Sequence, residues 1–205
     1  ADSYACRLGN LLVGNLDRDA VVEVTLMGFQ ARFRHAAVVA VTGADLQPLL
    51  NGSPMAMWTA VKVAPDDIID LQAPICGCRA YLAIGGGISV SPVMGSRSTS
   101  VGAGFGGYNG RALQPGDVLQ GCRPGQHLHC VGRTLPEALK PVYTPEWVLR
   151  VIPGPQANQF TAASHALFYD AAYVVSGKSD RTGVRLKGPV LEKLPEAPDS
   201  ILSEG

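Results

Sequence analysis

Charged side chains are scarce in this sequence, and the two signs cancel. Lys and Arg supply 17 residues and Asp and Glu another 17, so charged residues make up 17% of the chain, against about 25% in an average domain. A nucleic-acid-binding domain usually carries a strong excess of positive charge. The composition therefore excludes broad electrostatic recognition of nucleic acid and leaves room only for local charge chemistry.

Long apolar runs are absent as well. The run AAVVAV at 36–41 is far shorter than the roughly 20 residues of a membrane-spanning helix, and no charged-then-apolar leader opens the chain. We therefore expect a soluble, cytoplasmic protein without membrane contact. The cysteines number five, and Cys76 and Cys78 alternate in a strand-like context, so reduced thiols are the expected state.

Nucleotide-binding loops lack their required context. The letters of the dinucleotide motif occur at 102–107, but polar residues precede them and Pro115 prevents a long helix afterwards. The GKS at 177–179 resembles the end of a Walker loop, yet Ala172 stands where that loop needs glycine. We expect no cofactor to bind this chain alone. The sequence also has no G-x-S-x-G elbow and no H-E-x-x-H helix.

Glycine and proline are abundant, with 24 and 15 residues, which favours many turns between short strands. Helical spacing of apolar residues predicts a first helix in 2–15, capped by Asp2 or Ser3 and closed at Gly14-Asn15, and a second helix in 159–169. Alternating or apolar runs predict strands in the segments VVEVTLM, FQARF, AAVVAVTG, AVKVA, DIIDLQ, RAYLAIGG, GDVLQG, WVLRVI and AAYVV. The fold class is therefore mainly β with one or two helices.

Residues 95–111, GSRSTSVGAGFGGYNGR, combine glycines with hydroxyl side chains and an arginine near each end. No Asp or Glu occurs from Leu71 through Gly116, while Arg79 lies in the same window. Free backbone N–H groups, hydroxyls and guanidinium groups together suit a carboxylate, carbonate or phosphate. The alternative interpretation is that the glycines only permit tight turns between strands and that the arginines are surface groups.

Several separated blocks resemble one known family and occur in that family's order. The main block is RAYLAIGGGISVSPVMGSRSTSVGAGFGGYNGRALQPGDVL, and the others are YACRLGNLLVGN, VAVTGADLQPLLNGSPMAMW, LRVIPGPQANQF and SDRTGVRLKGPVLE. Over nearly its whole length the chain resembles the allophanate hydrolase subunit 2 family, also described as biotin-dependent carboxyltransferase-like. This family contains the KipA-type proteins, associated with the C-type component of bacterial ATP-dependent 5-oxoprolinase, and the carboxyltransferase region of urea carboxylase.

The resemblance implies a cyclophilin-like β-barrel, a KipI-type (allophanate hydrolase subunit 1) partner and a small lactam or amide substrate. The main expectation is a subunit of an ATP-dependent 5-oxoprolinase-like complex that converts 5-oxoproline to glutamate. One alternative is biotin-dependent carboxyl transfer of the urea carboxylase type, with biotin in place of ATP. Another is a non-catalytic regulator that binds a KipI-like inhibitor of a sensor kinase.

The chain departs from the family pattern at two positions and at both ends. Ser89 and Ser100 stand where many family members have an acid, so the general base is not identified by resemblance. Family segments before the first helix and after SEG are absent from these 205 residues. We expect one carboxyltransferase-like domain over 1–205, lacking family segments at both ends, with 193–205 as a tail or connector.

We expect the site in and around the glycine-rich block. The predicted catalytic residues are Arg97, Ser98, Thr99 and Arg111, and the predicted substrate- or anion-binding residues are Gly95, Ser96, Gly106, Gly107, Tyr108, Asp180 and Arg181. An ion-pair brace at a strand turn is the alternative role for Asp180 and Arg181. No metal site is expected, because the cysteines and histidines of 122–130 lack the paired spacing of a structural zinc site.

Overall fold

The computed structural model describes residues 2–26, 28–123, 127–144, 146–179, 181 and 183–197. The chain divides into two compact units, Ala1–Glu146 and Trp147–Gly205. The expectation of one domain with a tail from residue 193 stays a prediction, because a single domain can consist of two compact parts. No helix within the described ranges is long and apolar enough to cross a membrane.

The first unit contains helix α1 and two four-stranded antiparallel sheets. The elements of this unit are α1 (Ser3–Leu12), β1 (Val22–Thr25), β2 (Phe29–Arg32), β3 (Ala37–Asp45), β4 (Leu49–Leu50), β5 (Ser53–Pro54), β6 (Val61–Val63), β7 (Ile68–Leu71), β8 (Cys76–Ile84), β9 (Thr99–Ser100) and β10 (Phe105–Gly106). The first sheet has the strand order β1-β8-β3-β6 and the second has the order β2-β7-β4-β5.

Strand β3 is buried on both faces, which explains its nearly continuous apolar sequence. Val38 and Ala40 contribute to the core beneath α1. Val39 and Val41 point the other way, because successive side chains of a strand alternate, and join the core that the two sheets share. The first sheet therefore lies between the helix and the second sheet.

Helix α1 begins and ends as its sequence predicts. The Asp2 carboxylate accepts a hydrogen bond from the N–H of Ala5 at 3.0 Å, and Gly14 ends the helix with a φ of +80°. Gly9 allows close contact with the sheet, since a Cβ there would lie 2.9 Å from Oγ1 of Thr42. That hydroxyl in turn donates to the carbonyl of Ala5 at 2.8 Å.

The mainly-β class with two helices is confirmed. The strands of the described residues pair into two four-stranded sheets and two two-stranded hairpins. They do not form a closed ring, so the barrel implied by the resemblance does not appear as one continuous ladder. Seven of the predicted strand segments overlap a strand of the structure. The segment 116–121 forms only an isolated bridge, between Gly121 and Ile88, and 147–152 contains no strand among its described residues.

The second unit contains helix α2 (Ala162–Asp170) and a short hairpin of β11 (Val174–Val175) with β12 (Leu186–Lys187). Thr161 caps the helix by accepting from the N–H of Ser164 at 3.1 Å. The Ser164 hydroxyl is buried and accepts from the N–H of Glu192 while donating to its carbonyl, at 2.7 and 3.0 Å. These bonds hold the segment after β12 against the start of the helix.

Candidate functional site

The loop that leads to the candidate site leaves the first sheet at Ile84. Asn15, just after α1, holds this loop in two places. Its side-chain nitrogen donates to the carbonyl of Ile84 at 2.9 Å, and its oxygen accepts from the N–H of Gly86 at 2.8 Å. Gly86 has a φ of +91°, and a Cβ at this position would meet the backbone of Arg123. The helix end therefore fixes where the chain leaves the sheet.

A first tight hairpin follows, with Val93 and Ser96 as its paired residues. The N–H of Val93 donates to the carbonyl of Ser96 at 2.8 Å, and the reverse bond measures 3.0 Å. Between them, Met94 and Gly95 have φ values of +50° and +78°. Two consecutive left-handed residues define a type I′ turn, the connection that matches the twist of a β-hairpin. Gly95 is thus required by the turn.

The second hairpin pairs β9 with β10 and depends on close approach of its backbone. A Cβ on Gly106 would lie 2.5 Å from the carbonyl oxygen of Ser98, and one on Gly110 would meet the carbonyl of Gly104. Gly106 and Gly110 also have positive φ, +74° and +67°. Tight turns therefore account for several of the glycines, and an anion-binding role for this backbone stays a prediction.

An open pocket of about 480 Å³ lies beside the second hairpin. Two segments form its wall: one follows the loop after β8, and the other runs from the second hairpin to Gly110. The lining residues are Ser89, Val90, Ser91, Val93, Gly104, Phe105, Gly106, Gly107, Tyr108, Asn109 and Gly110. The backbone N–H groups of 107–109 donate to no other described residue. The pocket therefore offers unbonded donors and small polar side chains.

Arg111 makes a paired contact immediately behind this wall. Its two terminal nitrogens donate to the two carboxylate oxygens of Asp117, at 2.7 and 2.8 Å. Asp117 also accepts from the N–H of Gln114 at 2.7 Å. The hydrogen bonds from Arg111 lower the pKa of Asp117 to about 2, and the same pairing raises the pKa of Arg111. The pair is therefore fully ionised at neutral pH.

The guanidinium of Arg111 lies over the ring of Tyr108, with its central carbon 5.4 Å from the ring centroid. Tyr108 belongs to the pocket wall, whereas Arg111 does not. A cation over an aromatic ring is a favourable contact. Asp117, Arg111 and Tyr108 thus form one connected arrangement that ends at the pocket.

Arg97 differs from Arg111 because it makes no hydrogen bond or ion pair with any residue that the structure describes. It is half-buried, between the two hairpins. Ser96 accepts from the N–H of Ser98 through its hydroxyl at 3.1 Å, and Thr99 lies in β9. The pocket is lined by the predicted residues Gly106, Gly107 and Tyr108. It is not lined by the predicted residues of 96–99.

Sequence reasoning did not single out several residues of this region, among them Ser91, Asn109 and Asp117. One signal for Asp117 was present, since the acid-free stretch ends at this residue and it lies six positions after Arg111. Ser89, noted as a departure from the family pattern, lines the pocket. Ser91 and Asn109 carried no such signal, because their position depends on how the two segments meet.

The remaining predicted residues belong to the second unit. Asp180 lies outside the described residues, and Arg181 is exposed. This unit has its own pocket of about 340 Å³, lined mainly by apolar side chains of 151–169 and Leu191. His165 borders it and is bonded through Nε2 to the carbonyl of Ala157 at 2.8 Å.

Among the described residues, no group of three or more His, Cys, Asp or Glu side chains is arranged to hold a metal ion, and the absence of a metal site near 122–130 stays a prediction. Cys130 is buried, and burial is the main cause that lowers the pKa of His127. Both side chains approach Gly14, where a Cβ would lie 2.7 Å from Nδ1 of His127. Their observed contacts are with the end of α1.

The fold and the pocket define a mainly-β protein with an open, glycine-walled site and a paired arginine behind its wall. The chain belongs to the family described as carboxyltransferase domain, subdomain A and B, which matches residues 1–205.

Two curated relatives illustrate the range of this family. Urea amidolyase of Saccharomyces cerevisiae is 37% identical over 194 residues, which are 92% of this chain and 11% of the relative. The C-type component of 5-oxoprolinase from Escherichia coli is 32% identical over 210 residues, which cover 100% of this chain and 63% of the relative. The chain therefore spans only part of each of these proteins.

A solved structure supports the fold independently. The crystal structure of Kluyveromyces lactis urea carboxylase matches with a TM-score of 0.82 and 34% identity, covering 94% of this chain and 18% of that protein. Nearly all of this chain is therefore similar to a portion of a carboxylase.

Proposed function

We propose that this protein is a subunit of an ATP-dependent 5-oxoprolinase-like complex. It acts with a KipI-type partner protein and opens the lactam ring of 5-oxoproline to give glutamate. The similarity to the C-type component of Escherichia coli 5-oxoprolinase supports this proposal, because it extends over the whole chain and over 63% of that relative. The open glycine-walled pocket is the structural observation on which the proposed residue roles rest.

The chemistry of the substrate suits what the pocket region offers. 5-Oxoproline carries a carboxylate and a planar lactam, and ring opening adds water across the lactam C–N bond through an intermediate with an anionic oxygen. Backbone N–H groups placed beforehand stabilise such an oxygen as it forms. The unbonded N–H groups of 107–109 are suited to this role.

Arg97 is suited to the carboxylate of the substrate. Its guanidinium has no described partner, and the stretch from Leu71 through Gly116 contains no acid that would compete for it. A planar guanidinium can hold both oxygens of a carboxylate at once. Although Arg97 does not line the pocket, we assign it to binding the substrate carboxylate, and we leave Arg111, which is paired with Asp117, outside the direct ligand set.

A second candidate is carboxyl transfer from carboxybiotin to a urea-like nitrogen. It is favoured by the 37% identity to Saccharomyces cerevisiae urea amidolyase and to the putative urea carboxylase of Emericella nidulans. The same N–H groups and Arg97 would then hold the anionic oxygens of the carboxyl group. Because the chain covers 11% and 15% of those two proteins, the other steps of that reaction would belong to other domains.

The test is reconstitution of the full-length protein with a KipI-type protein from the same organism. Glutamate formed from 5-oxoproline in the presence of ATP supports the main proposal. Biotin-dependent incorporation of bicarbonate supports the second, and partner binding without either turnover indicates a regulatory protein. As a matched pair, Arg97→Lys should reduce turnover, whereas Arg34→Lys should not, because Arg34 is an exposed arginine in the loop after β2.

A further inference from the structure

The carboxylate of Asp117 has more partners than a surface acid usually has. It accepts from both terminal nitrogens of Arg111 and from the N–H of Gln114, all within 2.8 Å. Its side chain is only 15% exposed, against 37% for that of Arg111. Bidentate pairs of this kind fix the orientation of the guanidinium as well as neutralising its charge.

The orientation of this guanidinium determines what it touches next. One terminal nitrogen also donates to the carbonyl of Ala112 at 2.9 Å, so the side chain is held from two sides. Its central carbon lies over the ring of Tyr108, the one aromatic residue besides Phe105 in the pocket wall. Arg111 itself is not part of the wall, whereas Tyr108 lines the pocket and is only half-buried.

We infer that the ring of Tyr108 receives the planar amide or ureido group of the ligand, and that Asp117 is a positioning residue that acts through Arg111. Flat π-systems stack favourably on aromatic rings, and the contact needs no charge on the ligand. This inference rests on the proposed function, since it places the lactam plane of 5-oxoproline at Tyr108 and its carboxylate near Arg97. The ureido ring of biotin presents the same planar chemistry.

The experiment uses the full-length protein with its partner and two small probes. The neutral cyclic urea 2-imidazolidinone reports the planar contact, and acetate reports anion binding. Tyr108→Leu and Asp117→Asn should each weaken 2-imidazolidinone binding, by roughly two- to tenfold, the range of a lost aromatic contact. Tyr108→Phe should bind normally because it keeps the ring, and Asp117→Glu should recover part of the loss.

Acetate binding distinguishes a positioning role of Asp117 from a role in the stability of the fold alone. Asp117→Asn leaves the charge of Arg111 uncompensated, so acetate binding should stay equal or become tighter while 2-imidazolidinone binding weakens. Equal weakening of both probes, together with a lower melting temperature, would show that the pair only supports the fold. Normal 2-imidazolidinone binding by Tyr108→Leu would overturn the inference as well.

Natural ligands distinguish the two sources of the planar group and separate this inference from the proposed function. Titration with 5-oxoproline and with biotin shows which of them loses affinity in Tyr108→Leu. If the wild-type complex binds 2-imidazolidinone through Tyr108 but does not turn over 5-oxoproline, the inference stands and the proposed function fails. If the wild-type complex does not bind 2-imidazolidinone, the inference fails.

Discussion

Replacement of single glycines of the second hairpin by alanine should have effects on stability that range from neutral to strongly destabilising. Gly102 has no positive φ and nothing within 4 Å of a Cβ, whereas Gly104 has a φ of +70° but equally open surroundings. Gly110 has a φ of +67°, and its Cβ would collide with the backbone of Gly104 and Phe105. The three positions thus separate backbone conformation from steric contact.

The expected magnitudes follow from these differences. Alanine reduces the entropy of the unfolded chain, so Gly102→Ala should be neutral or stabilise by about 0.4–1 kcal/mol. A left-handed conformation costs a residue with a Cβ about 1–2 kcal/mol, which makes Gly104→Ala destabilising by about 0.5–1 kcal/mol net. The backbone collision adds about 1–3 kcal/mol of overpacking at Gly110, for a total of about 1.5–4 kcal/mol.

Urea unfolding of the three variants measures these values directly, and thermal unfolding should show Gly110→Ala melting lower by at least about 3 °C, at about 2–4 °C per kcal/mol. The order Gly102, Gly104, Gly110 is the essential result. Equal stability of Gly110→Ala and Gly102→Ala would refute the hairpin geometry on which the pocket wall depends. Loss of 5-oxoproline binding in Gly102→Ala at unchanged stability would instead assign that glycine to the ligand.

Three further predictions concern charge and nucleotide binding. Arg97→Lys keeps the positive charge but loses the planar guanidinium, so affinity for 5-oxoproline should fall about ten- to a hundredfold, the effect of losing one charge-assisted hydrogen bond. The melting temperature should change little. A normal affinity together with a markedly lower melting temperature would show that Arg97 has a structural role. The pKa of Asp117 is lowered from 3.8 to about 2, so its pairing with Arg111 stabilises the fold above about pH 4, and this stabilisation is lost as the pH falls towards 2. The difference in unfolding free energy between wild type and Asp117→Asn should therefore shrink only between about pH 4 and pH 2. A difference that already disappears above about pH 5 would contradict the pairing. The chain alone should neither hydrolyse ATP nor bind it tightly, which calorimetry checks, and micromolar affinity would contradict this.

Local patterns predicted the framework of the fold well. The caps of α1 at Asp2 and Gly14 and the double-sided burial of β3 follow from side-chain chemistry and from alternation along the strand. The spacing of apolar residues predicted less accurately which side chains of the helix are buried, since Leu11 is exposed and Asn10 is buried. Asn10 is buried because it donates to the carbonyl of Asp19 and accepts from Asn15, and helical periodicity does not encode these contacts with the loop after the helix.

The candidate site was predictable as a region but not as a set of contacts. The glycines, the arginines and the absence of acids marked residues 95–111. The sequence pattern predicted the same role for Arg97 and Arg111. Of the two, only Arg111 has a carboxylate partner among the described residues, because the turn at 114–117 brings Asp117 next to it. Which residues face a pocket depends on the meeting of two distant segments, at 89–93 and 104–110, and no local pattern contains that information.

The most direct test of the account is ATP-dependent formation of glutamate from 5-oxoproline by the full-length protein together with its KipI-type partner. We expect glutamate to form only when both proteins and ATP are present, and its rate at low 5-oxoproline concentration to fall in Arg97→Lys but not in Arg34→Lys. No glutamate from the reconstituted complex, with biotin-dependent incorporation of bicarbonate in its place, would contradict the central claim.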